Sequence, residues 1–243
     1  MLKQIVKAIL PKYLIEKLII IKNNYFDGFS LKSYSQERED MILKRLFDKQ
    51  KTGFYVDVGA HHPKRFSNTF FFYKKGWSGI NIDAMPSSMS LFNKIRPRDT
   101  NLEIPISDKK QKLTYYIFNE PALNSFSKEL AEKRDSEDNY KIISQKKMET
   151  STLEDVFGKH LPYGQEIDFL SIDVEGLDLQ VLKSNNWKRF RPKVVLVEIL
   201  GSSIQDIANS KEYKYLAEFG YEIFAKAVNT VIFRRVDNKE ILS

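Results

Sequence analysis

The residues of this chain with the most chemical potential are carboxylates and histidines placed where short apolar runs end. Phe54-Tyr55-Val56-Asp57-Val58 stops at Gly59-Ala60-His61-His62. Gly79-Ile80-Asn81-Ile82 stops at Asp83 and Ala84, and Leu102 to Ile106 stops at Ser107 and Asp108. Ile167 to Ile172 stops at Asp173, Glu175 and Gly176, and Val194 to Ile199 carries Glu198. A lone acidic residue after a strand is commonly a turn residue or helix cap, because its side chain bonds local backbone. Carboxylates gathered on one rim repel one another unless a cation or a ligand's donors satisfy them. So gathered, they could accept ribose hydroxyls, hold a divalent ion through oxygen, or take a proton. An imidazole from His61 or His62 could act as a base or join such a ligand set.

The elements that must position these groups follow from the apolar patterns. Helices are expected at Ser35 to Gln50 with Ser35 as cap, Thr69 to Lys75, Leu153 to Phe157, from Leu177 to Leu182, and at Glu212 to Phe219. Strands alternating with helices imply crossover units and a mainly parallel sheet. Tyr221 to Ala225 and Val228 to Phe233 have too short a link for a helical crossover, so they run antiparallel. Ligands of open α/β sheets bind outside the carboxyl ends of the strands, where the acidic residues fall. Lys112 to Phe118 reads as an extra strand on an insertion. Charge-rich Ser127 to Lys147 reads as a mobile, solvent-facing segment. Trp77 and Phe70, Phe71 and Phe72 read as core.

Composition narrows the classes. The chain has 243 residues, 42% hydrophobic and 29% charged, which suits one large globular domain. It has no cysteine, which excludes disulfides, thiolate metal sites and cysteine nucleophiles and fits a reducing cytoplasm. The formal net charge of +7 favours anionic small molecules. The lysines are spread among acidic residues and no nucleic-acid recognition motif is present, so no nucleic-acid partner is expected. Residues 1–33 form an amphipathic helical segment, broken near Pro11, ahead of a domain over 34–243. Lysines interrupt every apolar run there, so neither a transmembrane segment nor a signal peptide is expected. The segment is expected to pack on the domain or on a second subunit of a homo-oligomer; weak peripheral membrane contact is the alternative.

Asp57-Val58-Gly59-Ala60 matches half of a dinucleotide-type glycine turn. His61 occupies the usual second glycine position, so a smaller cofactor without phosphate fits better than a dinucleotide. Asp83, at the end of the next strand, could accept both hydroxyls of an adenosine ribose. Dehydrogenases and methyltransferases share that pairing.

Longer stretches carry a more specific likeness. They are Gly53 to Pro63, Ser67-Asn68-Thr69, Gly76 to Pro86, Ser171-Ile172-Asp173-Val174-Glu175-Gly176-Leu177-Asp178, and the upstream Ser35-Gln36-Glu37-Arg38-Glu39-Asp40. Together they resemble the FkbM family of methyltransferases. The histidine pair departs from the family's commoner Ala-Asn-Ile-Gly form. The resemblance implies a class I methyltransferase, Rossmann-like α/β fold. Such a fold is a doubly wound, mainly parallel seven-stranded sheet with an antiparallel terminal hairpin. It implies S-adenosylmethionine held by Gln36, Asp57, Gly59, Ala60, Asn68, Asp83, Ala84, Ser107, Asp108 and Asp173. The expected reaction is O-methylation of a sugar hydroxyl, on a nucleotide-linked sugar for bacterial capsule or surface polysaccharide. His61, His62, Asp173 and Glu198 are the expected catalytic groups. Either Mg2+ or Mn2+ on Asp173, Glu175 and Glu198, or a metal-free base, would activate the hydroxyl. A polyketide or lipid hydroxyl as acceptor, and a non-catalytic sugar-binding scaffold, stay open as alternatives.

Overall fold

The computed structural model describes residues 10–137, 139–201 and 203–237. It divides into two units, 1–33 and 34–243. In the first unit, helix α1 (Lys12–Tyr25) starts directly after Pro11, and none of its residues is buried. The helical reading of residues 1–9 lies outside the described residues.

The second unit is built on a seven-stranded sheet. Its strands are β1 (Phe54–Val58), β2 (Ser78–Asp83), β3 (Thr100–Glu103), β6 (Phe169–Ile172), β7 (Val194–Glu198), β8 (Tyr221–Lys226) and β9 (Thr230–Arg235). Their spatial order is β3-β2-β1-β6-β7-β9-β8. The first five are parallel, and β9 runs antiparallel between β7 and β8. This is the class I methyltransferase architecture. An insertion between β3 and β6 adds a separate antiparallel pair, β4 (Lys112–Phe118) and β5 (Ile142–Glu149).

Alternation along the strands explains the layers. Val56, Val58, Leu170, Ile172, Val195 and Val197 enter one apolar cluster with helix residues such as Leu153 and Leu182. The intervening Tyr55, Phe169, Val194 and Leu196 enter a second cluster with Leu43, Phe47, Phe72 and Trp77. Both faces are therefore covered, as a parallel sheet requires. Trp77, Phe70 and Phe72 are buried, as expected, while Phe71 is only partly so: Trp77 lies 4.7 Å from Phe72 and 5.4 Å from Phe47, between ring centroids.

Three local expectations are corrected. The helix expected over Ser35 to Gln50 is shorter: α2 spans Glu39–Leu46. Arg38 takes the cap position in a left-handed conformation, and Ser35 bonds Asp40 from outside the helix, donating to its carboxylate at 2.8 Å and accepting its N–H at 3.3 Å. The third strand begins earlier than the apolar run, at Thr100. Its register on β2 is set by a polar ladder in which Asn81 Nδ2 donates to Asn101 and Asp99 at 2.8 and 2.9 Å. Finally, the Ser127 to Lys147 segment is structured. Ser127 caps α5 (Lys128–Asp135), Ala131 is buried, and β5 pairs along β4 through backbone bonds that its charged side chains do not oppose.

One buried network ties the sheet to the site. Arg96, fully buried, donates to Asp99, to the Tyr55 hydroxyl and to Thr69 Oγ1, each at 2.9 Å. Thr69 in turn donates to Asp57 at 2.8 Å. Asp57 thus sits in a satisfied polar core beneath the turn at Gly59, rather than on an open rim.

Candidate active site

The ends of β1, β2 and β6 meet the insertion around an open pocket. Of the residues singled out by sequence, it brings together Gly59, His61, Asp83, Ala84, Asp173 and Glu175. The insertion supplies a wall that the sequence did not announce, including Tyr115, Asn124 and Phe126. Tyr115 and Phe126 pack at a 35° tilt with ring centroids 4.5 Å apart. Asn124 is buried, and its Oδ1 accepts from the Phe118 N–H at 2.8 Å.

The other expected residues do not line this cavity. Gln36 is exposed and is not part of the cavity lining. Ala60 packs with Met89 and Phe92. Asn68 donates to Ser171 Oγ at 3.1 Å, with its Oδ1 buried and unpartnered. Ser107 bonds through its N–H to the Ser151 carbonyl and through its hydroxyl to Asp108 at 3.2 Å. Glu198 lines a neighbouring groove with Asp178 and Lys211.

The turn after β1 decides which histidine reaches the cavity. Gly59 has φ +81°, and a Cβ there would lie 1.7 Å from the Asp173 carbonyl oxygen. Only glycine lets β1 leave the sheet that close to the end of β6. His61 follows with φ 51°, its N–H donating to Asp83 Oδ2 at 2.7 Å. Its ring stacks on Phe66. His62 is used differently. Its Nδ1 accepts from the N–H groups of Lys64 and Arg65 at 3.1 and 3.0 Å, closing the loop. Burial, then Arg65, hold both imidazoles below the ordinary histidine range.

The loop after β6 forms the acidic edge. Glu175 and Gly176 both have positive φ, of 53° and 99°. Asp178, opening helix α7 (Asp178–Lys183), accepts from the N–H groups of Val174 and Gly176 at 3.3 and 3.2 Å and so fixes the loop. Ser125 of the insertion donates to the Glu175 carbonyl at 2.6 Å. One carboxylate oxygen each from Asp173, Glu175 and Glu198 lies within 4.8 Å of the others. Arg134 of α5 pairs with Glu175. Three carboxylates against one guanidinium, all oxygen donors, suit a hard divalent cation.

The model of the methyltransferase FkbM domain matches residues 57–223. The chain belongs to the FkbM methyltransferase family. Two solved structures align over most of their length. One is a Klebsiella pneumoniae protein assigned as an O-methyltransferase, with 11% identity, 96% of this chain and 94% of that chain covered, and a TM-score of 0.37. The other is a Bacillus cereus O-methyltransferase in complex with SAH, with 10% identity, 95% and 94% coverage, and a TM-score of 0.34. No curated protein sequence matches.

In this FkbM methyltransferase burial and mutual repulsion favour the protonated form of the carboxyls along the acidic edge. Asp173 opens to the cavity yet is ringed by protein; desolvation, then Glu198 and Glu175, raise its carboxyl well above the usual range. Desolvation also raises Glu175 despite Arg134. Glu198 is pushed up to about 8 by desolvation, then by Glu175 and Asp178, with Arg134 opposing and Glu37 adding. A raised carboxylate binds more protons in the native than in the unfolded state, so stability falls as pH rises through that window. Between the ordinary 4.5 and about 8, Glu198 therefore destabilises the fold progressively. Glu198→Gln is expected to be near neutral at the acid end of this window. At the alkaline end it should be more stable than wild type by on the order of 1–2 kcal/mol, after allowing for solvent screening. Chemical denaturation of both proteins across the window gives this difference directly. A difference that stays constant with pH would mean that Glu198 titrates normally.

Proposed function

We propose that this methyltransferase uses S-adenosylmethionine to methylate a hydroxyl oxygen, that of a nucleotide-linked sugar for bacterial surface glycan. A divalent cation at the acidic edge assists. The supporting observation is the adjacency of two features: Asp83 in the cavity wall, and the carboxylate cluster that runs from the cavity at Asp173 and Glu175 to the next groove at Glu198. Gly59 and Asp83 line that cavity together and would hold the nucleoside.

Bound S-adenosylmethionine supplies a sulfonium methyl already activated for displacement, so the protein's main contributions are position and proton management. A sugar hydroxyl is a weak nucleophile at neutral pH and needs a base or a cation that lowers its pKa. Asp173, Glu175 and Glu198 would hold Mg2+ or Mn2+, which would supply that acidification. His61, kept neutral and facing the cavity, is the group to accept the hydroxyl proton. His62 is committed to its loop through Nδ1. The sugar reading is supported by the net charge of +7, which favours an anionic acceptor, and by the motifs shared with the family.

Transfer of label from S-adenosylmethionine to a panel of nucleotide-linked sugars, free sugars, lipid hydroxyls and RNA tests this. A sugar nucleotide should take the label as an ether. His61→Ala should lose most turnover while keeping cofactor affinity, and His62→Ala should keep turnover if its fold survives. Labelling of an amine or of RNA, with every sugar inert, would overturn the acceptor assignment. Full activity in His61→Ala would remove His61 from catalysis.

A further inference from the structure

The first unit holds an unused surface. Helix α1 has 14 residues and buries none of them. Leu18 is 49% exposed, Ile21 46% and Tyr25 79%, and beyond the helix Phe26 and Phe29 are 72% and 76% exposed. Leu14, Leu18, Ile21 and Tyr25 recur at the spacing of one helical face, flanked by Ile15 and Ile19. Lys12 and Lys17 fall at the two borders of this face, and Lys22 lies within it. Long lysine stems there can run along apolar surface while their ammonium groups reach out.

We propose that α1 and the aromatic segment after it seat the protein on an anionic lipid surface. Charge decides between lipid and the other occupants of an apolar face. Residues 1–33 carry Lys3, Lys7, Lys12, Lys17, Lys22 and Lys32 against Glu16 and Asp27, four of the chain's seven net positive charges. A second copy of the chain would bring the same lysines together and be repelled. Anionic headgroups attract them, by about fivefold in affinity per lysine near the surface. No helix among the described residues is long and apolar enough to cross a membrane. At 1.5 Å per residue α1 spans only about 21 Å, so it lies in the interface plane rather than across it. Tyr25, Phe26 and Phe29 are residue types that sit well at the boundary between headgroups and acyl chains.

The test is sedimentation of the full chain with vesicles of phosphatidylcholine alone or of phosphatidylcholine with phosphatidylglycerol. Binding is expected to the anionic vesicles, weakened by salt, with little to phosphatidylcholine alone. Substituting Lys12, Lys17 and Lys22 together by glutamine should weaken it by roughly a hundredfold. Leu18→Glu with Ile21→Glu should abolish it. None of these residues is buried, so both variants should keep the thermal transition of wild type, which serves as the folding control. Failure of the wild-type chain to bind anionic vesicles overturns the proposal. So does equal binding to both vesicle types. A concentration-dependent dimer without lipid, dissolved by Leu18→Glu with Ile21→Glu, would assign the face to a second copy and overturn it as well.

Discussion

Replacing Asp83 with alanine is expected to weaken S-adenosylmethionine binding by about 1.5–3 kcal/mol, roughly ten- to 150-fold, the range for hydrogen bonds to a charged group. Asp83 Oδ2 accepts the His61 N–H and Oδ1 the Met85 N–H, both at 2.7 Å. These two bonds fix the plane of the carboxylate. A carboxylate has about four lone-pair sites, so one on each oxygen remains for a ligand's paired hydroxyls. Asp83→Asn is expected to be no milder. One side of an amide is a donor, and it would face the N–H of either His61 or Met85. Glutamate would keep the charge but move it away from both anchors. Calorimetric titration with the cofactor, beside a thermal melt as folding control, gives the answer. Cofactor affinity unchanged in a folded Asp83→Ala protein would remove Asp83 from the cofactor site.

The sequence was informative where backbone geometry and side-chain period coincide. β1, β2, β6 and β7 each appear as a short, mostly apolar run, because a parallel strand covered on both faces admits only polar residues that are paired, such as Asp57 and Asn81. Acidic residues at their ends then mark the rim, since the chain leaves the sheet there. β3 lies outside the apolar run because it is partly polar: Asn101 accepts from Asn81 and donates to Asn93, pairings that no hydrophobic pattern records. Pro105 lies within the run expected to be the strand and has no N–H to donate to a ladder.

The cavity wall was illegible for a related reason. Tyr115, Asn124 and Arg134 reach the site from an insertion whose own sheet is separate from the main one, so nothing local marks them as site residues. The charged stretch around Arg134 looked like solvated surface, yet Arg134 is the cation that answers Glu175. The two histidines were indistinguishable as adjacent letters. A positive φ at His61, and the bonds from Lys64 and Arg65 to His62, separate them.

The metal reading makes the most severe prediction. Exhaustive chelation should lower turnover by on the order of 10²–10⁴-fold, the range associated with loss of hydroxyl activation, and Mg2+ or Mn2+ should restore it. The reasoning starts from charge. Asp173, Glu175 and Glu198 converge within 4.8 Å, and among the described residues only Arg134 pairs directly with the cluster. Left so, the desolvated carboxyls repel one another and hold protons. A divalent ion would remove the repulsion and also release the protons that the raised carboxyls hold. Asp173 is a poor probe, because it also lines the cavity, so its loss would mix cofactor and metal effects. Glu198 lines the neighbouring groove instead. Glu198→Gln should therefore keep cofactor affinity while losing both the metal response and most turnover. Arg134→Gln should act in the opposite sense on the ion, tightening its binding by removing a competing cation, provided that Glu175 keeps its place. Full turnover after chelation would exclude the metal and leave His61 as the base.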